Sequence, residues 1–377
     1  MGFKRKNILF LTSWWPTEKS PHLGNFIFSQ AEALSKNNSL LVVVFEPIDS
    51  FNKTQITIQD IGGFQLLKIP YSSKRFAYFN KRFLSNKCLK FIKSLEFEPD
   101  IIHANVSHPL HWFFIKCKKE FKCPMLLTEH GSYLFEQNFK KLSSFHQRGI
   151  RKLYSHTDQI ITVSKKLEKE IKKIDYHKTD SIGNFIPDHW STISPIQSKR
   201  EKYTFLHVST LDVNKNVEGI LLAAQKLKQS NLSFHLIIAT DESYSDLEIK
   251  VNQLEISDSV EFVGPLSHSA MTELYSKADC FVLNSNIETF SIVAIEALFF
   301  GLHLISTDVG VVSELPLKIK SINSSKSAEE LTELMKSAIN DNRFGGIEAQ
   351  NSVKNYSEMD FIKQYQNIYQ STLNNNA

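Results

Sequence analysis

The chain has 377 residues, 42% of them hydrophobic and 22% charged, with a formal net charge of +4. That length suits two domains of about 150 to 200 residues, and the apolar share is ample for buried cores, so a soluble globular protein is expected. No apolar run reaches the roughly 18 residues of a membrane span, and Lys4-Arg5-Lys6 leads directly into the strand pattern Ile8-Leu9-Phe10-Leu11 with no export signal, so a cytoplasmic location is expected.

The charge is unevenly placed. Residues 1–195 hold 29 Lys+Arg against 17 Asp+Glu, a balance of +12, whereas residues 196–377 hold 15 against 23, a balance of −8. The first half therefore faces something anionic, a membrane surface or a phosphate-bearing acceptor. No nucleic-acid motif accompanies the charge, which argues against nucleic acid as partner. Cys88, Cys117, Cys123 and Cys280 lack paired metal spacing and read as reduced, buried or incidental thiols.

In chain order, the first strand gives way to a loop with Pro16 and Pro21, then Gly24-Asn25 and a helix over Phe26 to Leu34. Strand, loop, glycine and helix open a nucleotide-type fold. The absence of G-x-G-x-x-G argues against a dinucleotide oxidoreductase. Leu40 to Phe45 is a second buried strand, and Ile56 to Ile69, interrupted by Gly62-Gly63, reads as a hairpin. Ser73 to Lys93 interleaves basic and aromatic residues on a helical pattern. It is either an ordinary amphipathic helix with solvated lysines or a segment that binds an anionic membrane interface.

Two strands follow, Pro99 to Asn105 with His103, and Met125 to Gly131 with His130 at its end. A His at a strand's carboxyl end points into the cleft of an open α/β sheet. Gln159 to Val163 is the next strand, and Pro187 to Pro195 reads as a linker. The second half opens with the strand Thr204 to Ser209, the loop Thr210 to Asn216 containing Lys215, and a helix over Val217 to Lys228. After a strand at Phe234 to Ala239 and a helix at Ser245 to Leu254, Val260 to Pro265 reads as an edge strand leading into Gly264. Helices at Ala328 to Ile339 and Phe361 to Leu373 close the chain.

The most informative stretch is Cys280 to Leu315. The apolar run Cys280 to Leu283 is a buried strand with a polar loop at its carboxyl end, followed by a helix that Thr289 or Ser291 can cap, Gly301 at its left-handed end, and a strand from Leu302. With a helix start near Phe290, the free amides of Phe290, Ser291 and Ile292 suit a phosphate. Glu288 lies just before that terminus and Glu296 one to two turns inside, placed to accept hydrogen bonds from ligand hydroxyls. Sugar, diphosphate and ribose have that order in a nucleotide sugar. The alternative is a surface helix that carries two glutamates by chance.

This stretch resembles the signature of the retaining glycosyltransferases of family 4, also called group 1, whose pattern is S-x-x-E-x-F-G-x-x-x-x-E-A. Ser285, Glu288, Phe290, Glu296 and Ala297 stand in register, with Gly310 and Glu314 following, and Ser291 occupies the usual Gly position. The resemblance extends to P-D-I-I-H at His103, where Asn105 replaces a second His, and to T-x-H-G at His130. It also covers the loop G-R-L-x-x-x-K-G, in which Lys215 is kept and Thr210 stands at the Arg position. It implies that Gly24 and Asn25 lie beneath the donor diphosphate, that His130 sits beside the transferred sugar, and that the loop with Gly264 backs the nucleobase. It places Lys215 and Thr210 at the diphosphate and His103 on the acceptor side.

The expected architecture is therefore α/β, the GT-B fold of two Rossmann-like domains facing across a cleft. Residues 1–190 form the acceptor domain, 196–355 the nucleotide-sugar domain, and 356–377 a helix returning to the first. No Asp-x-Asp pair occurs, so diphosphate charge falls to Lys215 and helix amides, with no metal or other cofactor expected. The expected function is a retaining glycosyltransferase moving a sugar from a nucleoside-diphosphate sugar to a glycan or lipid-linked acceptor in cell-surface polysaccharide synthesis, peripheral on the cytoplasmic membrane face. Glu288 and His130 would be its catalytic residues. The alternatives are a nucleotide-sugar epimerase of the same fold, a non-catalytic glycosyltransferase-like subunit, and a membrane-binding structural protein.

Overall fold

A computed structural model describes residues 5–17, 20, 23–48, 55–72, 77–174, 178–190, 201–316, 320–322, 327–340 and 345–375. Its contacts divide the chain into two units, Met1–Asn184 with Met359–Ala377, and Phe185–Glu358.

The first unit is built on β1 (Asn7–Thr12), β2 (Ser39–Ile48), β3 (Thr57–Asp60), β4 (Gln65–Ser72), β5 (Ile101–Asn105), β6 (Met125–Glu129), β7 (Gln159–Thr162) and β8 (Thr179–Ser181). They lie in the order β3-β4-β2-β1-β5-β6-β7-β8. Only β3 and β4 pair antiparallel, as the hairpin around Gly62-Gly63, and β3 is exposed along its whole length at the edge. β5, β6 and β7 are buried at every residue, because a parallel sheet carries its crossover helices on both faces and has no solvent side. The closing helix Glu358–Asn374 sinks Tyr365 and Tyr369 completely into this unit.

The second unit holds β9 (Tyr203–Val208), β10 (Phe234–Ala239), β11 (Val260–Val263), β12 (Cys280–Leu283), β13 (His303–Thr307) and β14 (Lys320–Ile322). They are all parallel, in the order β11-β10-β9-β12-β13-β14. Numbered within the unit this is the doubly wound Rossmann order, and the order reverses between β9 and β12. In the first unit the same reversal falls between β1 and β5. Loops leaving the carboxyl ends of strands at such a reversal diverge and leave a crevice for ligand, which fixes where each unit's site is sought.

One expectation needs correction. Of the expected linker Pro187 to Pro195, the turn Asp188–Trp190 is packed, with the buried Trp190 ring 5.6 Å from Phe300 and 6.2 Å from Tyr275. Residues 191–195 lie outside the described residues, as do 73–76 of the basic-aromatic segment. The rest of that segment belongs to the helix Ala77–Ser94. All four cysteines are free thiols, with Cys88, Cys117 and Cys280 buried.

Candidate active site

At the reversal in the second unit, the loop after β9 and the loop after β12 are tied together. Asn286 donates its amide to the Asn214 carbonyl at 2.6 Å, and Asn284 Nδ2 donates to the Asn216 carbonyl at 3.1 Å. Across this seam Lys215 Nζ meets Glu288 Oε1 at 2.8 Å, and Ser285 Oγ donates to the same oxygen at 2.8 Å. Ser285 is itself fixed, fully buried, with its carbonyl accepting from Thr307 Oγ1 at 2.6 Å. Two residues singled out from sequence for separate roles, Lys215 and Glu288, are thus one ion pair.

The helix of the signature runs Ile292–Phe299, with Ser291 rather than Thr289 in the position before its first turn and the start two residues past Phe290. The start is displaced because Ser291 takes a left-handed conformation, φ 75° and ψ 76°, which ends any helical run before it. Its hydroxyl makes no cap bond and is buried without a partner, so the expected Ser291 cap is not formed. The helix-terminal amides begin at Ile292, and Phe290 is displaced from that terminus. Its side chain is 2% exposed and packs on Tyr356 at 5.8 Å, while its carbonyl accepts from the Val311 amide at 2.8 Å. Phe290 is a packing residue that anchors the loop.

Further along, Tyr275 donates its hydroxyl to Glu296 Oε2 at 2.7 Å. Burial pushes the Glu296 carboxyl up to about 7 against the restraint of that hydrogen bond, so it stands near half-ionised at neutral pH. Thr210 is exposed and donates to Asp212 Oδ2 at 3.1 Å, so its hydroxyl is engaged within its own turn. Gly264 follows β11, next to the stacked rings of Tyr244 and Phe262, 5.0 Å apart and 5° from parallel.

Beneath the seam lies His207, which the sequence reading passed over. Its Nδ1 lies 2.8 Å from the Val282 carbonyl, which only accepts, so Nδ1 carries the proton and Nε2 accepts from Ser209 Oγ at 2.8 Å. Burial lowers it to about 4, and this neutral ring joins β9 to β12 directly under the two loops. A histidine inside the apolar run Thr204 to Val208 was the available signal; nothing in spacing pairs Tyr275 with Glu296.

In the first unit Gly24 precedes the helix Asn25–Ser35 at φ 73°, and a Cβ there would stand 2.5 Å from the Trp14 carbonyl carbon. Only glycine fits that approach. Phe26, the second residue of that helix, lies 4.9 Å from the His130 ring. His130 is 4% exposed, with Nε2 at 3.4 Å from Asn105 Oδ1, and both His130 Nδ1 and Asn105 Nδ2 are buried without a partner. Burial lowers His130 to about 3, so the ring is neutral. Gly24, Asn25 and His130 are brought together.

His103 was expected on the acceptor side, and the structure makes it a core residue. It is fully buried, with Nδ1 at 2.7 Å from the Tyr369 hydroxyl, Nε2 at 2.7 Å from Thr128 Oγ1, and its ring stacked on Tyr365 at 5.2 Å. Both ring nitrogens are spent on the closing helix and the neighbouring strand.

Glu129, one position before His130, was also missed. Its fully buried carboxylate accepts from the Ser107 amide at 3.2 Å, the Tyr133 hydroxyl at 3.0 Å and the Tyr154 hydroxyl at 3.1 Å. Burial raises its pKa against those donors. Tyr133 crosses so close to the backbone that a Cβ on Gly131 would lie 1.9 Å from its ring, which explains the glycine after His130. The carboxylate thereby ties the loops after β5 and β6 to each other.

Over 97% of this chain and 99% of the other, the structure resembles sucrose-phosphate synthase from Thermosynechococcus elongatus with a TM-score of 0.78 at 17% identity. The fold is that of the GT-B glycosyltransferases. Residues 23–189 match the Glycosyltransferase Family 4 family and residues 189–359 match Glycosyl transferases group 1. The chain belongs to the group 1 glycosyltransferases. The alpha-monoglucosyldiacylglycerol synthase of Streptococcus pneumoniae is 25% identical over 278 residues, 68% of this chain and 62% of that protein, so the match spans less than two thirds of its length. The GalNAc-alpha-(1->4)-GalNAc-alpha-(1->3)-diNAcBac-PP-undecaprenol alpha-1,4-N-acetyl-D-galactosaminyltransferase of Campylobacter jejuni is 27% identical over 286 residues, 74% of this chain and 73% of that one.

Proposed function

We infer that the protein is a retaining glycosyltransferase that moves a sugar from a nucleoside-diphosphate sugar to a glycan or lipid-linked acceptor of a cell-surface polysaccharide. The observation that carries this reading is the Lys215–Glu288–Ser285 constellation at the β9/β12 reversal, beside the amino terminus of Ile292–Phe299. A cation and first-turn amides together suit a diphosphate. Lys215 and the amides of Ile292 and its successors meet the charge that develops on the diphosphate as its bond to the anomeric carbon breaks. Glu288 lies on the sugar side, where its pairing with Lys215 and Ser285 sets the carboxylate's orientation. Glu296 lies on the ribose side, held by Tyr275.

The reaction needs no metal in this reading. Supporting that is the lack of an Asp-x-Asp pair. The first unit takes the acceptor and supplies His130 as a neutral ring. The names of the two curated relatives favour a lipid or a lipid-linked diphosphate glycan as the acceptor class.

The test is a thermal-shift panel of UDP-, GDP- and ADP-sugars followed by product analysis with and without EDTA. A donor at about 100 times its dissociation constant adds about 2.7 kcal/mol to the folded state. Transfer that survives EDTA and keeps the donor's anomeric configuration is expected. Epimerised donor would assign the alternative of the same fold, and donor binding without turnover would mark a non-catalytic subunit.

A further inference from the structure

The helix Ala77–Ser94 carries five basic residues and no acidic one. From residue 83 onward its two faces differ sharply. Ser85, Cys88, Leu89 and Ile92 are buried, while Phe83, Asn86, Lys87, Lys90 and Lys93 are exposed at the three- and four-residue spacing of a single helix face. Phe83 stands 68% exposed on the same face, one turn before Lys87. The helix His111–Phe121 lies alongside. Lys116 Nζ donates to Ser85 Oγ at 3.2 Å and to Asn86, and Lys93 pairs with Glu120, so the two helices are clamped side by side. Between them runs a groove of about 680 Å³ lined by Phe83, Asn86, Lys87, Lys90, Lys93 and Glu120. Lys119 and Lys122, to either side of Glu120 in the chain, are exposed as well.

The clamp consumes Lys93 and Lys116. Lys87 and Lys90 have no ion-pair partner among the described residues, and Glu120 is the single carboxylate lining the groove. Unneutralised lysines on the same helix face as a solvent-exposed aromatic ring suit a bilayer surface, where ammonium groups meet lipid phosphates and a ring enters the interfacial layer. We propose that the face formed by residues 83–93 with Lys119 and Lys122 docks the first unit on an anionic phospholipid bilayer. The proposal does not depend on donor chemistry, because the docking is read without turnover.

The experiment is flotation of the full chain with vesicles of phosphatidylglycerol and phosphatidylcholine, and with phosphatidylcholine alone. Wild type should float with the anionic vesicles at 0.1 M salt and be mostly released at 1 M, as the screening length falls from about 10 Å to about 3 Å. Each lysine near the surface is worth a factor of about five, so the double variant Lys87→Ser, Lys90→Ser should partition about 25-fold less. Phe83→Ser should remove the remainder that resists salt. All three side chains are exposed, so melting temperatures should match wild type and separate docking from folding. The proposal is overturned if wild type stays unbound at 0.1 M salt, if it floats equally with phosphatidylcholine alone, or if the double variant floats like wild type. Binding to a soluble anionic polysaccharide in place of vesicles would overturn it as well.

Discussion

At the reversal between β9 and β12 a full ion pair is left partly open to solvent, with Lys215 at 20% and Glu288 at 12% side-chain exposure. At the corresponding reversal of the first unit the polar groups are enclosed. His130 is held neutral by burial, Asn105 is fully buried, and Glu129 has its pKa raised with only hydroxyl and amide donors around it. The same kind of reversal thus supports two electrostatic designs. An ammonium paired with a carboxylate in a half-open loop can exchange that partner for an anionic ligand. A carboxylate or imidazole sealed in the core shapes the loops around it and stays out of charge exchange.

Breaking the ion pair should give the largest effect. Lys215→Ala removes the cation offered to a diphosphate and leaves Glu288 half-buried without it. A charged hydrogen bond worth about 1.5 to 3 kcal/mol translates to a loss of about 10- to 150-fold in kcat/KM. Glu288→Gln should lower turnover more than donor affinity. Because the two residues touch, the double variant should lose less than the sum of the singles, and strict additivity in that cycle would show the contact to be incidental.

The enclosed carboxylate should register in stability. Glu129→Ala leaves the Tyr133 and Tyr154 hydroxyls and the Ser107 amide without their acceptor, at a cost of about 2 kcal/mol or more. Glu129→Gln keeps an acceptor oxygen and should cost less. Calorimetric melting of the three proteins checks the order, and an unchanged melting temperature for the alanine variant would remove Glu129 from this role.

Glu296 lies between the two designs. Its folded pKa of about 7 exceeds the ordinary value of 4.5, so the folded state holds the proton more tightly than the unfolded chain. The stability it contributes is complete below about 4.5 and is lost as pH rises toward 7. Glu296→Gln cannot ionise and should flatten melting temperature against pH across that window. If Glu296 also receives ribose hydroxyls, the same variant should bind donor about tenfold more weakly.

The central strands were readable because they are unbroken apolar runs, whereas β8 (Thr179–Ser181) and β14 (Lys320–Ile322) carry no such run, and the Glu288 to Glu296 spacing was readable as a loop-and-helix site. What escaped depended on distant chain. His103 belongs to the same motif that ends in a polar loop, but it sits two residues inside β5, and the helix that covers it arrives 266 positions later through Tyr369. Tyr275 reaches Glu296 from a separate helix 21 positions away. The helix start stayed open because Thr289 and Ser291 are both compatible with a cap. One left-handed residue decides between them, and composition does not reveal it.

That residue gives the smallest and most specific prediction. Ser291 sits at φ 75° with its hydroxyl buried and unpartnered. A side chain in the left-handed region costs about 1 to 2 kcal/mol, and an unsatisfied buried hydroxyl about 1 kcal/mol or more. Ser291→Gly relieves both and gives back about 0.4 to 1 kcal/mol through the looser unfolded chain, so the net is a gain of about 1 to 2 kcal/mol in stability. Retaining a serine at that cost has a use if its hydroxyl donates to the ligand held at the amino terminus of Ile292–Phe299. The glycine variant should then melt higher in the absence of donor and bind donor several-fold more weakly. A variant that melts higher and binds donor as well as wild type would leave Ser291 as uncompensated strain, and the charge of the donor would rest on Lys215 and the helix amides alone.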